Sequence, residues 1–152
     1  MEDRVRQSFE QQAFMATIGA VLDEVSQGRV VLRLPFAVAL TQQNGFLHGG
    51  VIAAVADVAG GYAAYSLFDD ASDVLTVEFK LNLLAPALGP FVTAVGEVLR
   101  SGRTLTVCSL RVFDHNDGEP RLCAAGQQTL MRMTADTAGR RSAAEQHGGG
   151  LP

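Results

Sequence analysis

Residues 51–68, VIAAVADVAGGYAAYSLF, decide the fold. A helix drawn through them is apolar or glycine on every face except at Asp57, Tyr62, Tyr65 and Ser66. A helix with no polar face has to be wrapped by protein. It is not read as a membrane span, because Asp57 near its middle would cost about 3 kcal/mol in a bilayer, and Gly60-Gly61 interrupts it. Its start is expected around His48, after turn chemistry at Asn44-Gly45 in the connection 35–47.

Strands flank this helix on both sides. Downstream, Asp69, Asp70, Ser72 and Asp73 make a polar turn. Residues 74–84 then alternate, with Val77, Phe79, Leu81 and Leu83 against Thr76, Glu78, Lys80 and Asn82. That is a strand with one buried face, and it puts Thr76 on the opposite one. Three more strands are predicted near 91–99, 104–113 and 121–133, joined by hairpin-like turns at 100–103 and 116–119, where Asp117-Gly118 suits a primed turn. Upstream, 20–34 reads as a hairpin around Ser26-Gln27-Gly28. Residues 2–17 read as one amphipathic helix on Val5, Phe9, Ala13 and Ile18, stopping at Gly19. Residues 134–152 carry no periodic apolar positions and are expected to be disordered, which makes the His147-Gly148-Gly149-Gly150 run a decoy. The layout is α+β: a single domain over 1–133, one long helix wrapped by an antiparallel sheet, with an N-terminal helix.

Composition removes several functions. A chain of 152 residues, 47% apolar, fits one buried core. A net charge of −4, a single lysine at Lys80 and scattered arginines give no stripe for phosphate neutralisation, so no nucleic-acid partner is expected. Two cysteines, Cys108 and Cys123, sit in strand-like runs and imply packed, reduced thiols rather than a disulfide framework or zinc site. Residues 1–12 hold no continuous apolar stretch, so the expected location is cytoplasmic, with no membrane partner. No glycine-rich phosphate loop, serine elbow or metal-ligand spacing occurs, and no metal or redox cofactor is expected.

The candidate chemistry centres on the helix. Around Asp57, Ala53, Ala54, Val58, Ala59 and Gly61 offer no countercharge, so the carboxylate must be paired from elsewhere, protonated, or open to a water-filled site. The scaffold alternative is an acid that bonds a loop or a partner subunit. His48-Gly49-Gly50 would expose bare N–H groups at a helix N-terminus, the geometry an oxyanion needs, or else form a tight loop-to-helix joint. His48 and Asp57 are nine residues, about 13.5 Å of helix rise, apart, so one reaction using both needs a second subunit or a returning strand. Amides of Gln42, Gln43 and Asn44 can hold a carbonyl or a water, or bond their own loop. Arg100 and Arg103 flank a turn where they can grip a phosphate or stay solvated. His115 is read as solvated at its hairpin, and Cys108 has no neighbouring base to make it a nucleophile.

The stretch Asn44-Gly45-Phe46-Leu47-His48-Gly49-Gly50, then Val55-Ala56-Asp57, Leu75-Thr76-Val77-Glu78-Phe79-Lys80-Leu81 and Leu84-Ala85-Pro86, resembles the hot-dog-fold acyl-CoA thioesterases, above all their PaaI-like (phenylacetyl-CoA thioesterase) branch. The resemblance covers about 5–133. It implies a long helix wrapped by a five- or six-stranded sheet, and a homodimer joined sheet edge to sheet edge, commonly paired into a tetramer. Carried over by position, Asp57 matches the family's acid, a general base or a nucleophile toward the thioester carbon. Gly50, with Gly49, matches the backbone donor that polarises the thioester carbonyl from the facing subunit. His48 matches the motif histidine, which positions the loop. Thr76 falls where some relatives hold the attacking water with Ser or Thr. The family's loop asparagine falls at Gln42, with Asn44 two positions on, and Arg103 resembles positions near the nucleotide end of coenzyme A. The implied substrate is an acyl-CoA with an apolar or aromatic acyl group, lined by Phe46, Val51 and Val55, and coenzyme A enters only as part of it. Two other readings fit the same resemblance: a hot-dog hydratase or dehydratase, and a non-catalytic acyl-CoA-binding or sensing module.

Overall fold

A computed structural model describes residues 1–116 and 118–134. Asp117 of the expected primed turn and residues 135–152 of the expected disordered tail, with its His147-Gly148-Gly149-Gly150 run, lie outside the described residues.

Two short helices, α1 (Glu2–Glu10) and α2 (Ala13–Ile18), lead into the hairpin β1 (Val21–Ser26) and β2 (Arg29–Pro35). The long helix α3 (Gly49–Tyr65) follows, then β3 (Asp73–Leu83), β4 (Phe91–Ser101), β5 (Leu105–Asp114) and β6 (Arg121–Met133). The six strands form one antiparallel sheet in the order β1-β2-β4-β5-β6-β3. It packs around α3 through β2, β3, β4, β5 and β6. Because α3 has no polar face, this wrapping buries Val55, Ala56, Ala59 and Ala63 completely against Val30, Leu32, Leu110 and Leu130. One close approach is made by glycine: a Cβ at Gly96 of β4 would lie 2.3 Å from the backbone of Ala59, so only a bare backbone lets helix and sheet meet there.

Two expectations change. The single helix over 2–17 is broken: Gln12 is extended (φ −79°, ψ 95°) and caps α2. Its side chain donates to Tyr62 Oη on α3 at 2.9 Å, which ties the break to the long helix. Gly19 then ends α2 in the left-handed region (φ 74°). The second change is in β3. Its pairing with β6 slips between Thr76 and Glu78, making Val77 the extra residue of a β-bulge. A bulge reverses the alternation, so Thr76 and Phe79 both face the helix side, opposite Leu130 and Gln128 of β6. The expected buried row is also open at this edge, with Val77 54% and Leu83 57% exposed.

Candidate active site

Asp57 lies one turn beyond the middle of the first half of α3, half-buried, facing β3 and β6. The bulge delivers Thr76 to it, and the Thr76 hydroxyl donates to Asp57 Oδ1 at 2.8 Å. Gln128 of β6 also donates to Oδ1 through Nε2, and the same nitrogen reaches the Asp57 carbonyl at 3.1 Å. Both side-chain partners are neutral. Burial therefore dominates and pushes the Asp57 carboxyl above the usual carboxylate range, with the hydrogen bonds from Thr76 and Gln128 pulling the other way. Oδ2 has no hydrogen-bond partner among the described residues.

At the start of α3, His48 is the N-cap (φ −63°, ψ 134°), and its Nδ1 accepts from the Gly50 amide at 2.9 Å. An Nδ1 used as acceptor leaves the ring proton of a neutral imidazole on Nε2. The His48 carbonyl takes the amides of Val51 and Ile52. Gly49 is the exception: its N–H has no acceptor among the described residues, and it points out of the helix at the positive end of the dipole. Beside it opens a cavity of about 410 Å³, lined by Gln42, Phe46, Leu47, Ile52 and the segment from Leu83 to Ala87. Of the apolar residues expected to line a pocket, Phe46 does so, whereas Val51 packs against the core outside the cavity lining and Val55 is sealed in the core.

The remaining candidates separate. Gln42 lines the cavity, and its Oε1 accepts from the Asn44 amide, closing the turn that Gly45 completes (φ 84°). Asn44 itself is exposed in that turn. Arg103 is exposed in the β4–β5 turn. That turn lies at the far end of α3: Arg132 donates its amide to Thr104 O at 2.8 Å while its guanidinium stacks on Phe68. Within one chain, Thr76 thus joins Asp57, Gln42 joins Gly49, and Arg103 joins neither. Asp57 lies eight residues beyond Gly49, about 12 Å of rise, and outside the cavity lining.

His115 is not merely solvated as expected. Its ring stacks on Phe91 with centroids 4.4 Å apart and its Nε2 bonds Thr93 Oγ1 at 2.8 Å, filling a gap between neighbouring strands. The thiols are chemically quiet: burial pushes Cys108 up to about 12 and Cys123 up to about 11. Among the described residues, no group of three or more His, Cys, Asp or Glu is placed to hold a metal ion.

Gln128 was missed in the sequence. The signal was present as a lone polar residue in the inward series Ala124, Gly126, Gln128, Leu130, but a strand-centre glutamine carries no motif that distinguishes it from a surface one.

The fold that carries this site has known relatives. The family profile of the Thioesterase superfamily matches residues 44–121, the span from the loop turn through β5 to the first residue of β6. A thioesterase family protein of Silicibacter pomeroyi superimposes with a TM-score of 0.86 at 47% identity, covering 88% of this chain and 98% of that one. A Saccharolobus solfataricus protein provisionally named an esterase is 38% identical over 71% of this chain and 76% of its own length. A 1,4-dihydroxy-2-naphthoyl-CoA hydrolase of Listeria monocytogenes is 29% identical over 66% of this chain and 82% of its own. The PaaI protein of the E. coli phenylacetic acid degradation operon shares the fold, with a TM-score of 0.76 at 18% identity over 84% of this chain and 88% of that one. The six-stranded sheet around one long helix is the hot-dog fold that the loop and helix motifs resembled, and this chain belongs to the thioesterase superfamily as a thioester hydrolase.

Proposed function

We propose that the chain hydrolyses acyl- or aryl-CoA thioesters to the free acid and coenzyme A, in a site completed by two copies. The observation that carries this reading is the Asp57 carboxylate: half-buried, with no cation beside it among the described residues, and bonded there through Oδ1 alone so that Oδ2 is left to act. In the reaction, Oδ2 takes a proton from a water as its oxygen attacks the thioester carbon. The carbonyl oxygen, now anionic, accepts from a backbone amide, and collapse expels the coenzyme A thiolate, which recovers the proton from Asp57. The same carboxylate can instead attack the carbon directly, and the geometry serves either route. Of the two motif glycines we assign the donor to Gly49, because the Gly50 amide is held by His48. A 1,4-dihydroxy-2-naphthoyl-CoA hydrolase among the relatives, with an apolar cavity here, supports an apolar or aromatic acyl group on coenzyme A.

Gly49 and Asp57 stand too far apart in one chain to share a thioester, and the sheet edges suggest how the gap is closed. The β1 edge is short, bulged at Asp23, and covered by Asp23–Arg33 and Glu24–Arg29 ion pairs, all features that discourage strand addition. The β3 edge runs eleven residues with Leu75, Val77, Phe79 and Leu83 exposed. Two copies joined antiparallel along β3 bring the Gly49 end of one toward the Asp57 side of the other. The same two-fold swings Arg103 toward the partner's cavity mouth, where the phosphates of coenzyme A emerge. Two free, buried cysteines suit a reducing cytoplasm.

The test is thiol release from a panel of aliphatic and aryl acyl-CoAs, with Asp57→Ala and Asp57→Asn beside the parent. Losses of about 10²- to 10⁴-fold are expected for both. Turnover surviving both changes defeats the assignment, and binding without turnover in the parent favours a sensor.

A further inference from the structure

We infer that Gln128 is the positioning residue of this site: its carboxamide, buried in β6, fixes Asp57 Oδ1 so that Oδ2 alone faces the reacting atoms. The inference rests on the Asp57 reading above and assigns a residue that no motif marks.

Gln128 is 0% exposed, a long polar side chain in the wall against α3. Its Nε2 is the hub of three contacts, to Asp57 Oδ1, to the Asp57 carbonyl at 3.1 Å and to Thr76 Oγ1 at 3.1 Å. The Thr76 hydroxyl donates a hydrogen bond to the same Oδ1 at 2.8 Å, so it accepts from Gln128 and donates to Asp57. Chain and helix are thereby locked to one carboxylate oxygen by two donors of fixed direction, which sets the rotation of the carboxyl plane. A third feature shows that space was made for this amide. A Cβ at Gly60, one turn along α3, would sit 2.0 Å from Gln128 Oε1, and that oxygen is buried without a hydrogen-bond partner. An unpaired buried carbonyl is destabilising, and a leucine in the same volume would avoid that. The fold accepts that cost at the one place where the amide's other end meets the reactive acid.

Among the described residues, no charge competes for the role. The elements packed against this stretch of α3 present Thr76 from β3, Gln128 and Leu130 from β6, the Cys108 thiol against the Gly60 carbonyl from β5, and Gly96 from β4. Glu78 and Lys80 pair with Thr129 and Gln127 on the outer face, and Glu97 and Arg111 pair with each other there.

The experiment has two arms. In the parent, the side-chain amide protons of Gln128, followed by ¹⁵N NMR, should titrate together with the Asp57 carboxyl. Gln128→Met, which keeps length and apolar volume but removes the donor, should shift the Asp57 titration to higher pH. It should move the acid limb of kcat/KM the same way and lower kcat by up to roughly 10²-fold with little change in KM. Amide protons that ignore the Asp57 titration overturn the inference. So does a folded Gln128→Met protein, judged by Tm, whose Asp57 titration and acid limb stay in place. The NMR arm needs no turnover, so a parent without thioesterase activity sinks the functional reading while leaving the Gln128 contact measurable.

Discussion

The two ends of α3 are built from opposite materials. At the C-terminal end, the Arg4 guanidinium donates to the carbonyls of Tyr65, Phe68 and Asp69 at 2.9, 2.7 and 2.5 Å, and lies over the Tyr65 ring. Ser66 donates back to Ala63 O at 2.7 Å and accepts from the Gly28 amide at 2.8 Å, while Arg132 covers Phe68. Cationic groups thus meet the negative end of the helix dipole, and the terminal carbonyls are answered by the chain itself. Nothing comparable happens at the N-terminal end. There is no acidic residue in the first turn, one amide is capped by His48, the Gly49 amide is unanswered among the described residues, and an apolar cavity opens beside it. A helix end completed internally is scaffold. One left with an unpaired donor and positive potential is prepared for negative charge that arrives from outside, and a thioester's developing oxyanion is such a charge.

Gly49→Pro is the sharpest way to break this contrast. Proline suits the first helical position, and the extended His48 before it is already compatible with a following proline. The substitution deletes the N–H, and its Cβ, 2.6 Å from Leu83 Cδ1, needs only the tip of that exposed side chain to swing aside. The kcat should therefore fall about 10²- to 10³-fold with little change in Tm, and Gly49→Ala, which brings the same Cβ but keeps the N–H, should retain most of the rate. A full rate in the proline variant would return the open end to scaffold.

The mirror experiment is Arg4→Met at the closed end. Losing a mostly buried guanidinium that serves three carbonyls should cost roughly 2–3 kcal/mol, read as a fall in Tm, with kcat/KM unchanged at a temperature where both proteins are folded. An activity loss that outruns the stability loss would mean the ends are not independent. A second arginine near this end sharpens the point. Arg103 has no ion pair or hydrogen bond among the described residues, so Arg103→Ala should leave Tm and kcat alone and raise KM for acyl-CoA several-fold, more at low salt than at high. The same KM for a short pantetheine thioester in both proteins would place the contact at the nucleotide.

The open end was legible in the sequence and the closed end was not, for a physical reason. Glycines beside a histidine before an apolar run announce a helix start through local backbone requirements, and Asp57 announces itself by having no neighbours able to pay its burial. Arg4 reaches its carbonyls across more than sixty residues, and Gln128 reaches Asp57 across 71, so neither contact leaves a spacing to read. Thr76 shows the intermediate case. Its residue type fitted the site, but strict alternation placed it on the wrong face, because a bulge at Val77 depends on the pairing of β3 with β6 and not on β3 alone.

The smallest effect tests the cost of keeping the site ready. Burial raises the Asp57 carboxyl above its ordinary range, with Thr76 and Gln128 opposing, so the folded protein holds that proton more tightly than the unfolded chain does. Ionised Asp57 therefore destabilises the fold at pH values above its raised folded value. The penalty fades as pH falls through that value and is gone below the unfolded one. Asparagine at 57 keeps Oδ1 as the acceptor for both donors and carries no charge at any pH. Asp57→Asn should thus melt a little higher than the parent at neutral pH, with the difference shrinking to nothing in acid, while hydrolysis is lost throughout. A variant that melts lower at neutral pH would mean the two hydrogen bonds outweigh burial, making the carboxylate an anchor of the fold instead of a group held under strain for chemistry.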